Sequence, residues 1–339
     1  PEKAHALTFK ILKLLDKIKI LDTYNYYLNS KLTHKNIKLL NLKFKNRVGL
    51  AAGLDKNGEC LASLSKLGFG FIELGTVTPL PQVGNPKPRL FRLPDDKAVI
   101  NRMGFNNLGV DALLVNIKKI DKLKLEDNHI ILGINIGKNA STPTEPIELA
   151  INDYLICLEK VYLHCDYVCL NISSPNTLNL RQLQSKDYLE KLLSAVKTKQ
   201  LELNDKYNQS RYIAIKISPD VTSQELIDIA DLIIKYKIDI LIATNTTIED
   251  KLLYDQDNNK IAGGLSGKPL LDKSNNILSE ANQYFIKKNY RKNLIIIGVG
   301  GINSKADAKL KISLGADLIQ IYTGLIYEGP SLIKQQIGR

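Results

Sequence analysis

The chain has 339 residues, 44% of them apolar, which suits one large α/β barrel with a small extra element and a sizeable core. Its formal net charge of +12 could serve nucleic acid or an anionic membrane surface. The lysines are spread along the chain and no nucleic-acid motif is present, so the excess reads as a general bias toward Lys, Ile and Asn, with no nucleic-acid partner.

Residues 1–38 differ in pattern from the rest of the chain. Pro1-Glu2 has the form of a helix start, and Leu7, Ile11, Leu14, Leu15 and Ile18 recur at helical spacing with Lys10, Lys13 and Lys17 between them. Tyr24, Tyr26 and Tyr27 come next. A basic amphipathic helix of this kind can lie on a membrane surface or pack on the body of the protein, and its amphipathicity alone does not separate the two. The chain opens at Pro1 without an initiator Met, which leaves room for native residues, a targeting segment included, ahead of it. No apolar run reaches the roughly 18 residues of a membrane span.

From residue 39 onward, short apolar runs alternate with helical patterns. Strands are expected over 48–51, 71–74, 130–136, 167–172, 212–217, 240–244, 294–298 and 318–321. Helices are expected over 58–67, 108–123, 147–163, 188–201, 223–235, 270–287, 305–314 and 330–336. Eight such βα repeats imply a (β/α)8 TIM barrel over 39–339, preceded by the helical region 1–38. The longest interruption, 76–107, is rich in Pro, Arg and Asn, and long loops on the carboxyl face of a barrel usually carry function. No second core is visible. Cys60, Cys157, Cys165 and Cys169 form no CxxC pair and read as reduced, buried thiols. None of His5, His34, His129 and His164 lies just past an expected strand, so neither a histidine base nor a metal site is indicated.

The residues just past the strands matter most in a barrel. Strand one ends in Ala52-Gly53-Leu54-Asp55-Lys56 and strand two in Gly75-Thr76-Val77-Thr78. Strand three carries Asn135 before Gly137-Lys138-Asn139, and strand four runs into Asn171-Ile172-Ser173-Ser174-Pro175-Asn176-Thr177. That last segment is either a Ser/Pro/Asn turn or an active-site loop, and its composition fits both. Strand five holds Lys216 in an otherwise apolar run, a charge that needs an anion, an electron-rich group or a structural ion pair. Strand six ends in Thr244-Asn245-Thr246-Thr247, strand seven in Gly298-Val299-Gly300-Gly301 and strand eight in Tyr322-Thr323-Gly324. With Gly264-Leu265-Ser266-Gly267, the last two match the usual phosphate site of a barrel. Together these residues describe a barrel that binds a phosphorylated cofactor and a small anionic, hydrogen-bonding substrate. They do not name the reaction.

Four motifs do. Leu50-Ala51-Ala52-Gly53-Leu54-Asp55-Lys56, Asn101-Arg102-Met103-Gly104-Phe105-Asn106, Asn171 through Thr177 and Ile297-Gly298-Val299-Gly300-Gly301 closely resemble the dihydroorotate dehydrogenase family in its quinone-linked class, class 2. The resemblance covers essentially the whole chain. It implies one FMN per chain and oxidation of dihydroorotate to orotate, within pyrimidine biosynthesis, with ubiquinone or menaquinone as the final acceptor.

By this resemblance Ser174 is the base that takes a proton from substrate C5 while C6 gives a hydride to the flavin. A serine hydroxyl is a poor base alone, and Thr177, a hydroxyl in the same loop, is the candidate partner. Lys56, Asn101, Asn171, Asn176, Asn245 and Thr246 are implied substrate contacts, along with Arg102, Met103, Gly104 and Phe105. Flavin contacts are implied for Ala52, Gly53, Leu54, Asp55 and Lys56, and for Thr76, Asn135, Asn171, Lys216 and Thr244. Gly267, Gly301, Tyr322 and Thr323 would hold its phosphate side. His5, Arg92 and Tyr322 match positions of the quinone site, and residues 1–38 match the family's quinone-entry hairpin. One departure is Leu178-Asn179, where the family has Pro-Gly after the threonine.

A monomer without metal is expected, peripheral on the cytoplasmic face of a bacterial inner membrane or, alternatively, on the mitochondrial inner membrane. The competing readings are another FMN barrel, either a soluble fumarate- or NAD-linked enzyme or a tRNA dihydrouridine synthase, and a non-enzymatic basic scaffold.

Overall fold

The computed structural model describes residues 1–31, 36–120, 130–176, 180–253 and 261–337. Two helices come first, α1 (Glu2–Lys17) and α2 (Ile20–Lys31), reversed at Lys19, whose φ of 62° is left-handed. A hairpin of β1 (Ile37–Leu39) and β2 (Leu42–Phe44) comes next. The barrel then begins with β3 (Val48–Leu50), the short helix α3 (Leu61–Leu64) and β4 (Phe71–Val77). Two further strands, β5 (Leu90–Leu93) and β6 (Ala98–Asn101), precede α4 (Val110–Lys118) and β7 (Ile131–Ile136). After them stand α5 (Ile147–Val161), β8 (Tyr167–Asn171), α6 (Lys186–Tyr207), β9 (Tyr212–Ile217), α7 (Ser223–Lys235) and β10 (Ile240–Ala243). The chain finishes with β11 (Gly264–Gly267), α8 (Leu271–Lys287), β12 (Ile295–Val299), α9 (Lys305–Ser313), β13 (Leu318–Ile321), α10 (Thr323–Glu328) and α11 (Ser331–Ile337).

Eight parallel strands close into a barrel in the order β3, β4, β7, β8, β9, β10, β12, β13. Inward and outward residues alternate, as strand geometry requires. Outward aliphatics such as Ile72, Ile134, Val168 and Ile213 meet the helices in the main core, while Phe71, Tyr167, Ile240 and Leu318 fill the lumen. The hairpin closes the amino-terminal mouth, where Leu42 and Phe44 join the lumen cluster and Phe44 meets Phe71 edge-on at 5.6 Å. The amino-terminal end is thus plugged by apolar side chains, and the carboxyl-terminal end carries the polar groups.

Several sequence expectations need correction. The 76–107 interruption contains β5 and β6, which pair with β11 in a three-stranded antiparallel sheet over the carboxyl mouth. Gly264–Gly267 is therefore a strand on β6 rather than a free glycine loop. A Cβ at Gly264 would lie 2.0 Å from Thr246 Oγ1, so glycine there lets the strand approach the barrel loop. Beneath this sheet, Ala98, Ile100, Leu253 and Leu265 form a small satellite core. The helix expected over 58–67 is only α3 with a 3-10 turn, Ser65–Leu67, because the Asp55 carboxylate accepts from Glu59 N (2.9 Å) and Cys60 N (2.8 Å) and holds the preceding turn open. The helix expected over 108–123 is α4, and its last residues, like Thr177 and Leu178-Asn179, lie outside the described residues.

α1 and α2 lie on the barrel. Lys66 pairs with Asp16 (2.5 Å) and Asp22 (2.6 Å), Arg89 forks onto Glu2 (2.9 and 3.0 Å), and Phe9, Leu21 and Leu28 are buried. Leu7, Ile11, Leu14, Ile18 and Ile20 remain exposed on the other side. The packing alternative left open by the sequence is therefore present, and the same hairpin keeps an apolar face in solvent. No helix among the described residues is long and apolar enough to cross a membrane.

Candidate functional site

A cavity opens at the carboxyl end of the barrel, under the three-stranded sheet. Its floor is the last inward layer of the strands: Asn171 on β8, Lys216 beside it in register on β9, and Thr244 just past β10. Lys216 is 6% exposed, and among the described residues no carboxylate lies within ion-pair distance of it. A structural ion pair therefore does not explain this lysine, and its ammonium is available to an anionic group in the cavity.

One side of the cavity is a glycine and hydroxyl cradle. Gly300 and Gly301 have φ of 112° and 76°, and a Cβ on Gly301 would sit 2.4 Å from Leu271 Cα at the start of α8. Ser266 and Thr323 hydroxyls meet at 2.8 Å, with Gly267 and Tyr322 beside them. Gly53, with φ 107°, brings its backbone to the Tyr322 ring, where a Cβ would lie 3.3 Å away. Burial pushes the Tyr322 phenol up to about 12, so it is neutral at pH 7.

The opposite side carries amides and the serine. Ser174 is buried and lines the cavity, and its Oγ accepts from Asn176 N at 3.3 Å. Asn176 Nδ2 donates to Asn101 Oδ1 (3.1 Å), and Asn245 Nδ2 donates to Ser173 Oγ (3.0 Å). Thr246 Oγ1 is buried with no partner among the described residues, a cost that a ligand hydrogen bond would offset. Lys56 reaches the cavity from the loop after β3. Burial, and secondarily the Arg89 charge, pull its ammonium down to about 8.

The structure thus gathers Ser174, Lys56, Asn101, Met103, Gly104, Phe105, Asn171, Asn176, Asn245 and Thr246 around one cavity. Ala52, Gly53, Thr76, Lys216, Thr244, Gly267, Gly301, Tyr322 and Thr323 line it too. Four anticipated residues fall elsewhere. Arg102 turns away, its guanidinium donating twice to Pro88 O (2.8 and 3.1 Å) and lying 5.6 Å over the Phe91 ring. Asp55 is occupied capping its own turn, and Leu54 faces a neighbouring cleft instead. Asn135 is fully buried behind Thr76 and Asn171, reaching the cavity only through them.

The neighbouring cleft lies between α1 and the barrel. It is lined by His5, Phe9, Leu54, Asn57 and Arg92, and it shares Gly53, Lys56, Leu90, Val99, Met103 and Tyr322 with the first cavity. His5 Nε2 lies 2.8 Å from Leu54 O, and burial pulls its imidazole below the usual value, so it is neutral at pH 7. Arg92 stands exposed on the wall of this cleft.

Sequence reasoning missed Glu73 and Gln320, and it gave Ser266 no role of its own although it singled out the 264–267 segment. Glu73 and Gln320 are polar residues inside apolar strands, the same signal that singled out Lys216. Glu73 is fully buried and accepts from Asn135 Nδ2 (2.8 Å), Tyr167 Oη (2.9 Å) and Gln320 Nε2 (2.8 Å).

Comparison with known proteins gives a consistent answer. The family model for dihydroorotate dehydrogenase matches residues 35–338. A dihydroorotate dehydrogenase (quinone) of Buchnera aphidicola subsp. Schizaphis graminum is 52% identical over 337 residues, 99% of this chain and 95% of that protein. The protein of the same name from Proteus mirabilis is 50% identical over the same shares of the two chains. Among solved structures, DHODH from Eimeria tenella in complex with ferulenol superposes with a TM-score of 0.84 at 34% identity, covering 99% of this chain and 89% of that one.

Proposed function

The chain belongs to the dihydroorotate dehydrogenase family, in its quinone-linked class, and we propose how its two cavities divide the work. The enzyme oxidises dihydroorotate in pyrimidine biosynthesis, with a flavin as cofactor and a quinone as acceptor. FMN is the flavin, held in the first cavity beside the substrate, and the quinone enters through the cleft under α1.

The residues present fit FMN. A bare glycine cradle suits a phosphate. Among the described residues Lys216 has no ion-pair partner, which suits an electron-rich ring, and Gln320 Oε1 is buried without a partner in the cavity wall. Gly267, Gly301 and Thr323 would hold the phosphate side, and Thr76, Asn171, Lys216 and Thr244 the ring. When bound, the flavin supplies the two-electron acceptor for the substrate C–H bond.

This chain's own residues do the rest. Lys56 pairs with the substrate carboxylate, and Asn101, Asn171, Asn176, Asn245 and Thr246 offer the donors and acceptors that a carboxylated pyrimidine requires. Ser174 takes the proton from substrate C5. The three-stranded sheet covers the site and excludes water, which strengthens each of these contacts. Tyr322 and Gly53 form the wall common to both cavities, so the donor and acceptor half-reactions lie side by side. His5 and Arg92 line the quinone cleft. Residues 1–38 act as the quinone-entry region, and the exposed Leu7, Ile11, Leu14 and Ile18 rest on the cytoplasmic face of a bacterial inner membrane, with ubiquinone or menaquinone as the acceptor. The protein works as a monomer.

The observation that carries this reading is the shared wall between a polar, lysine-bearing cavity and an apolar cleft under an exposed amphipathic hairpin. Anaerobic dihydroorotate should bleach the flavin absorbance, and a short-chain ubiquinone should restore it where fumarate and NAD do not. A flavin that dihydroorotate leaves unbleached would refute the proposal.

A further inference from the structure

The lumen layer beneath the cavity holds the carboxyl group of Glu73, and among the described residues its side-chain hydrogen-bond donors are Asn135, Tyr167 and Gln320, none of them a cation. Burial and the neighbouring Glu73 raise both Tyr167 and Cys169 far above their ordinary values, so both stay neutral. Both Glu73 oxygens serve here only as acceptors, Oε1 toward Asn135 and Oε2 toward Tyr167 and Gln320, whereas an amide can face either way. Glu73 therefore forces Asn135 to present Nδ2 downward (2.8 Å), leaving Asn135 Oδ1 to face the layer above.

The constraint propagates. Asn135 Oδ1 accepts from Thr76 Oγ1 and from Asn171 Nδ2 (3.1 Å), and Asn171 Nδ2 also reaches Thr76 Oγ1 (2.9 Å). With its NH2 end committed downward, Asn171 can offer only Oδ1 on its other side. There it accepts from Asn245 Nδ2 and Ser173 Oγ, both at 3.4 Å, and Asn245 Nδ2 reaches Ser173 Oγ at 3.0 Å. Asn245 in turn must direct Oδ1 outward, and it accepts from Thr246 N at 2.8 Å. Every amide from Glu73 to the cavity runs in one sense.

We propose that Glu73 is a positioning residue that sets the polarity of this hydrogen-bond chain, so that Asn171 and Asn245 meet the substrate with fixed donor and acceptor ends. A substrate ring that carries both N–H and C=O groups is sensitive to that sense, because a flipped amide sets donor against donor. The inference rests on the reading of Asn171 and Asn245 as substrate contacts.

The test uses the flavin-loaded enzyme with orotate as probe, binding being read from the perturbation of the flavin visible spectrum. Glu73→Gln keeps the shape and removes the acceptor-only group, so either end of the new amide can face Asn135. The orotate Kd is expected to rise about tenfold, or about 1.4 kcal/mol, with little change in flavin content. The double variant Glu73→Gln/Asn135→Asp places an acceptor-only group one link higher, where it still accepts from Thr76 and Asn171. Orotate affinity should return to within about threefold of wild type, a recovery that a merely structural carboxylate does not predict. A Glu73→Gln enzyme that binds orotate as wild type does, or a double variant no tighter than the single one, would overturn the inference. If the single variant fails to hold flavin, a double variant that holds it and binds orotate supports the inference, and one that also fails overturns it. Wild-type enzyme that does not bind orotate would instead refute the underlying reading of the site.

Discussion

Asp220→Asn is the perturbation whose size the structure fixes best. Asp220 is nearly buried, with a side chain 4% exposed, and it ties three loops of the carboxyl face together. One oxygen accepts from Lys273 Nζ (2.6 Å) and from Thr247 Oγ1, and the other from Arg181 Nη1 and Ile248 N (both 2.9 Å). Arg181 Nη2 also donates to Thr246 O (3.2 Å), so the cluster supports a wall of the substrate cavity. Burial works to raise the Asp220 carboxyl, but the Lys273, Thr247 and Ile248 hydrogen bonds and the Arg181 charge outweigh it and hold the carboxyl below the ordinary value. An asparagine offers one acceptor and one donor, so in either orientation its NH2 group faces two donors.

Removing one partner of a buried ion pair costs about 3–5 kcal/mol, and here the partly exposed Lys273 and Arg181 reduce that to about 2–3 kcal/mol. At roughly 2 °C per kcal/mol for a chain of this size, the Tm should fall by about 4–6 °C. The KM for dihydroorotate should rise several-fold as Thr246 loses its support. The lowered carboxyl sets the sign with pH. The contribution is present above the unfolded-state value near 3.9 and is lost as pH falls through the folded-state value, so the difference between wild type and variant should vanish in acid. Calorimetric scans at neutral and acid pH, with steady-state kinetics, measure all three. A variant within 1 °C of wild type at pH 7, with unchanged KM, would refute the hub argument.

Other perturbations act on single groups. Ser174→Ala should keep its flavin and lose about 10²–10⁴-fold in the rate of flavin reduction, which stopped-flow absorbance would measure; near-wild-type reduction would remove Ser174 as the base. Lys56, pulled down to about 8, should bind the substrate carboxylate as an ammonium below that pH and release it above, so orotate Kd should climb on passing pH 8, and Lys56→Met should abolish that climb. Leu14→Glu, at a position 57% exposed on α1, should weaken sedimentation with anionic vesicles while leaving flavin reduction by dihydroorotate unchanged.

Period and composition made the barrel legible in the sequence, because a parallel strand buried on both faces is a short apolar run whatever surrounds it. The same regularity exposed Lys216, since a charge inside such a run needs a ligand or an ion pair, and only the structure removed the ion pair. The motifs from Leu50 to Lys56 and from Asn171 to Thr177 were legible as a site because they stand directly at strand ends, where chain order and spatial order coincide, and their resemblance to a known family supplied the reaction. What failed was long-range or directional. β11 pairs with β6 across more than a hundred residues, so no local pattern marks Gly264–Gly267 as a strand. Arg102 belongs to a motif whose neighbours line the cavity, yet its side chain points the other way, a fact of rotamer and packing rather than of composition.

By itself the sequence determined the repeat, the ring of polar strand ends and the family, because each of these is written in contiguous residues. The tertiary structure alone decided that two cavities share one wall, that α1 packs by one face and leaves an apolar face free, and that a chain of hydrogen-bonded amides runs from Glu73 to the cavity. Each of those is a contact between residues far apart in sequence, and its geometry exists only once the barrel has closed.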